Sequence, residues 1–198
     1  MYKLKIIFVG PEEGGKSVIA NFLSDTTESS QGEYRPTKVV RILEFECQKL
    51  QILNNNNANS GRFVKTDIEL WDISGNTDYE SSWPALCQVV HGIVFVYNPN
   101  KGSNQIKMLE LFHKQFKTIQ TDSQCLVLTL SNKNDNLSMK NRGFKLPSQF
   151  NRITQSDVNL NEEGNKFRTE FNSFLSELLN NITDKRDQEE INIMNIKS

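Results

Sequence analysis

The octapeptide GPEEGGKS, Gly10 to Ser17, has the spacing G-x-x-x-x-G-K-S. That pattern suits a loop whose backbone amides cradle phosphate groups. Gly10, Gly14 and Gly15 let the chain come close to an anion, with Glu13 between them and Val18 at the start of the following helix. Lys16 is the residue that reaches the outer phosphates, and Ser17 offers a hydroxyl to a divalent cation. Glu12 and Glu13 place two carboxylates where an anionic ligand would approach. Amides do the cradling, so both side chains are expected to point outward.

Three further stretches carry polar groups of the right kind. In WDISG, Asp72 ends an apolar run and Gly75 follows; the carboxylate suits a magnesium ion, and the glycine N–H suits a γ-phosphate. In YRPT, Thr37 adds a second hydroxyl for the metal. Thus Ser17, Thr37 and Asp72 form the expected metal set. In SNKND, Asn132, Lys133 and Asp135 follow another apolar run. An aspartate there accepts two hydrogen bonds from guanine, and adenine would leave it unpaired. Taken alone, Thr37 reads as an ordinary strand entry and SNKND as a polar loop. Their common order along the chain is what joins them into one site.

These residues need a frame that brings them together. KLKIIFV (Lys3 to Val9), GIVFVYN (Gly92 to Asn98) and CLVLTLSN (Cys125 to Asn132) are continuous apolar runs, as in buried parallel strands. VVRILEFECQKLQIL and RFVKTDIELWDI alternate, which predicts an antiparallel pair around the tract NNNNANSG. KSVIANFLS predicts a helix with Val18, Ile19, Phe22 and Leu23 on one face. NQIKMLELFHKQFKTI predicts another, and the stretch from Glu162 to Ile182 a third with Phe167, Phe171, Phe174, Leu175 and Leu178 inward. NDNLSMKNRGFKLPSQF reads as a loop. The alternation implies an α/β domain, a mostly parallel central sheet with helices on both faces, over residues 1–182. A charged tail, 183–198, either continues the last helix or frays. Ligands of such sheets bind at the carboxyl ends of the strands, where the motifs fall.

Composition narrows the function. A net charge of −1 over 198 residues gives no case for nucleic-acid binding. The three cysteines are widely spaced, which argues against a disulfide framework or zinc cluster and for a reducing compartment such as the cytoplasm. Tyr2 after Met1 excludes myristoylation, and the final NIMNIKS has no prenylation cysteine, so no direct membrane anchor is expected. His91 and His113 are too isolated for a metal pair. Trp71 lies in a predicted strand and reads as core, whereas Trp83, beside Pro84, reads as a partner-facing aromatic.

The four motifs in this order resemble a small Ras-type GTPase, a P-loop G-domain, with YRPT and WDISG closest to the Rab branch. FVGPEEGGKS, RPTKVVRILEFE, SSWPALCQ and DKRDQEEINIM are similar to the Rab-like subunit of intraflagellar transport complex B. The resemblance implies GTP or GDP with Mg²⁺ as ligands, coiled-coil subunits of that complex as partners, and a place in the cytoplasm and the cilium or flagellum. It also marks departures. Asn76 stands where hydrolytic relatives have a glutamine that orients water. Glu12 stands where they have a small residue, and TQSDVN is a poor match to their base-supporting motif. Binding is therefore expected to outlast efficient hydrolysis. The alternatives are a cycling GTPase and, more remotely, a P-loop kinase or ATPase.

Overall fold

In the computed structural model, residues 2–26, 35–54, 57–120, 123–130 and 146–196 are described. Their strands are β1 (Tyr2–Val9), β2 (Val40–Asn54), β3 (Asn57–Ile73), β4 (Gly92–Tyr97), β5 (Gln124–Leu130) and β6 (Thr154–Val158). The helices are α1 (Lys16–Leu23), a single turn α2 (Trp83–Leu86), α3 (Asn104–Ile119) and α4 (Leu160–Ile196). The strands form one sheet in the order β2-β3-β1-β4-β5-β6. Only the β2–β3 pair is antiparallel.

The sequence patterns follow from this placement. β4 is buried along its whole length and β1 from Leu4 on, because each has a strand on both sides and helices above and below. Such strands must be apolar throughout. β2 is at an edge, and it alternates: Arg41, Leu43, Phe45 and Cys47 are half-buried, while Ile42, Glu44 and Glu46 face solvent. A register shift separates Cys47 from Leu50.

Two apolar layers flank the sheet. On one face Leu4, Ile6 and Phe8 meet Ile19 and Leu23 of α1 and the Phe167, Phe171, Phe174, Leu175 and Leu178 stripe of α4. Phe8 and Phe171 meet edge-on with centroids 6.2 Å apart. On the other face Ile7, Val9 and Phe95 meet Leu109, Phe112 and Phe116 of α3.

Two expectations change, and two segments become defined. Val18 leaves the predicted apolar face of α1 and is 55% exposed. Trp83 is not a surface aromatic: it is 1% exposed, with its ring 5.0 Å from those of both Phe112 and Phe116. Thr154–Val158, which sequence reasoning did not assign to a strand, is the edge strand β6. The charged tail takes the first of the two courses expected of it and continues α4 to Ile196, exposed from Asp184 to Met194. Among the described residues no helix is long and apolar enough to cross a membrane.

Candidate functional site

β1 ends at Val9, and the chain turns at once against the end of β4 to start α1. Gly10 makes this turn with φ 143°, and a Cβ there would overlap the Val96 carbonyl oxygen. Only glycine fits. The N–H of Gly14 closes the loop onto the Pro11 carbonyl at 3.2 Å, and Gly15 stands at the helix N-cap. The first-turn amides of α1 have no intrahelical acceptors, so the helix presents donors and partial positive charge to the space ahead of it. That space is a cavity of about 300 Å³, lined by residues that include Glu13, Gly14, Gly15, Lys16, Ser17, Val18, Thr37 and Gly75.

Lys16 lies under the loop. Its Nζ donates to the carbonyls of Gly10 and Pro11, each at 2.8 Å. Burial pushes its pKa down to about 8, against the opposing pull of Asp72 and Glu12. An ammonium held this way gains from an incoming anion, which would return the Coulombic stabilisation that burial removed.

Beside it the predicted metal residues converge. Ser17 Oγ donates to Asp72 Oδ2 at 2.7 Å. Thr37 Oγ1 is 3.4 Å from the same oxygen and 3.1 Å from Ser17 Oγ. The Asp72 side chain is fully buried, and its Oδ1 has no hydrogen-bond partner among the described residues. Burial raises its pKa, while the Ser17 bond and the charges of Lys16 and Arg41 pull it back down. A buried carboxylate with one unused oxygen and two hydroxyls at hand is a hard, oxygen-only donor set.

The two glutamates are exposed residues of the cavity lining. Glu13, at φ 56°, pairs with Lys101 Nζ at 2.8 Å. Glu12 is exposed, and its carbonyl accepts from Gln105 Nε2 at 2.9 Å. Asn76 does not face the cavity. Its Oδ1 accepts from the Asp78 N–H at 2.9 Å and caps the short 3₁₀ turn Thr77–Ser82. Asn132, Lys133 and Asp135 lie outside the described residues. Lys101, Gln105 and Arg41 were not picked out from the sequence. Arg41 had a signal: it is one of the inward positions of an alternating strand.

Comparison with known proteins identifies the family. A family model described as the Roc (Ras of Complex) domain of DAPkinase matches residues 5–135. A protein of Danio rerio named intraflagellar transport protein 22 homolog is 38% identical, covering 98% of this chain and 100% of its own. The chain belongs to the intraflagellar transport protein 22 family, which is Rab-like within the small GTPases. Two crystal structures of the family from T. brucei superpose on it. GDP-bound IFT22 has a TM-score of 0.60 at 23% identity and covers 90% of this chain and 97% of its own. GTP-bound IFT22/74/81 has a TM-score of 0.59 at 25% identity and covers 87% and 95%. The mostly parallel sheet described above is thus the G-domain fold of the intraflagellar transport protein 22 family.

Proposed function

We propose that this chain binds GTP and GDP in the cavity ahead of α1 and acts, in its loaded form, as a Rab-like docking subunit of intraflagellar transport. The observation that carries the reading is the meeting of Ser17, Thr37 and Asp72 beside the loop Gly10–Gly15. The T. brucei relatives with GDP and GTP bound support the same ligand class.

The amides from Glu13 to Val18 receive the phosphates, and Lys16 trades its loop carbonyls for phosphate oxygens. Gly75 lies against the loop, where its N–H can register a γ-phosphate. Ser17, Thr37 and Asp72 fit Mg²⁺, which when bound neutralises phosphate charge. Asn132, Lys133 and Asp135 are proposed to select guanine. Asn76, committed to Asp78, does not orient water, so hydrolysis is slow. Coiled-coil subunits of complex B are the proposed partners, as the IFT22/74/81 assembly suggests, with the chain working in the cytoplasm and the cilium or flagellum.

The test is to denature purified protein and identify the released nucleotide by chromatography, before and after incubation with GTP and Mg²⁺. GTP that persists supports a loaded binding subunit. Rapid accumulation of GDP would instead make it a turnover enzyme, and adenine nucleotides would remove the guanine reading.

A further inference from the structure

Arg41 stands directly opposite Asp72 in the antiparallel β2–β3 ladder. As an inward-facing position of an edge strand, it sends its side chain beneath the sheet rim toward α1. There Nη2 comes within 3.5 Å of Asp72 Oδ2, the oxygen that Ser17 and Thr37 also address. The same nitrogen donates to Asn21 Oδ1 at 2.7 Å and lies 3.5 Å from the Ser17 carbonyl oxygen. The guanidinium is therefore held between β3 and α1. Lys16, the other cation nearby, spends its Nζ on Gly10 and Pro11. Among the described residues, the ion pair made by Asp72 is with Arg41.

We infer that Arg41 is a built-in counter-cation for Asp72 that keeps the metal corner assembled without a divalent ion and shares the Asp72 charge with that ion when it binds. This rests on the proposed guanine-nucleotide site. A guanidinium is a fixed cation. A buried carboxylate left without a partner is costly, and a fixed cation removes that cost whether or not Mg²⁺ is present. Magnesium must then share or displace a partner already in place, and gains less by binding. The consequence is a nucleotide site with weak dependence on Mg²⁺.

The experiment measures the affinity of a fluorescent GDP analogue in millimolar Mg²⁺ and in excess chelator, for the wild type, Arg41→Gln and Arg41→Lys. The wild type should lose less than about tenfold on chelation. Arg41→Gln should raise the ratio of the two affinities by roughly tenfold, the worth of one charge-assisted contact. Arg41→Lys, which keeps the charge, should fall between them. A residue that merely packs would weaken binding equally in both buffers and leave the ratio unchanged, which would overturn the inference. So would a wild-type loss of about a hundredfold or more on chelation, a result that needs no folded variant. No binding in either buffer would overturn the site reading itself, and this inference with it.

Discussion

Gly75 and Glu12 meet backbone to backbone. A Cβ on Gly75 would lie 2.5 Å from the Pro11 carbonyl carbon and 2.8 Å from the Glu12 Cα. The turn after β3 is thereby pressed against the phosphate loop, so a change on either side is felt by the other. Gly75→Ala must push the two apart. It should cost about 1–3 kcal/mol in stability, as overpacking does, and weaken nucleotide binding with it. Thermal melts with and without GDP check this, and an unchanged Tm in both would contradict the contact.

Trp83 is the centre of an aromatic cluster with Phe112 and Phe116. Trp83→Ala should cost about 3–5 kcal/mol, a fall in Tm on the order of 10 °C. Trp83→Phe should cost much less. A partner-facing residue would instead leave Tm unchanged and weaken only docking.

The legible part of the site was the part made of short, local spacing. Gly10 to Ser17 is one turn between one strand and one helix, so its geometry is written in consecutive residues. Asp72 could be placed because it sits at the end of β3, and Thr37 because it lies in the loop that leads into β2. Arg41 could not be assigned to Asp72, because that pairing depends on the β2–β3 register, which a long hairpin with an asparagine-rich tip leaves open. Lys101 as partner to Glu13 depends on how the loop after β4 folds back. β6 was missed because Thr154–Val158 is largely polar, which an exposed edge strand tolerates and a sequence pattern does not flag. Trp83 was misplaced because four residues of helix carry no readable period.

Asn76 is held by Asp78, so lengthening it should not create a water-positioning group. Asn76→Gln should hydrolyse GTP within about threefold of wild type, itself on the order of 10⁻⁴ s⁻¹ or slower. Single-turnover assays decide it. A large gain in the variant would mean that side-chain length alone had limited the reaction.

His91 Nδ1 accepts the Lys5 N–H at 2.8 Å, a bond that needs the neutral ring, and burial holds its pKa below the usual value of 6.5. With the folded pKa depressed, the unfolded chain binds the proton first. Stability is therefore full above pH 6.5 and is lost as pH falls from there through the folded pKa. His113, also lowered by burial, adds to the same slope. His91→Asn keeps an acceptor without a titrating ring, so its Tm should fall less than that of wild type on going from neutral to mildly acid pH. Equal slopes would contradict the assignment.

The most direct test of the account is a competition titration on the purified chain. A fluorescent GTP analogue is bound, then displaced with GTP, GDP or ATP, in wild type and in Lys16→Ala. GTP and GDP should displace it and ATP should not, and Lys16→Ala should bind about a hundredfold more weakly. Equal displacement by ATP, or a Lys16→Ala variant that binds as well as wild type, would contradict it.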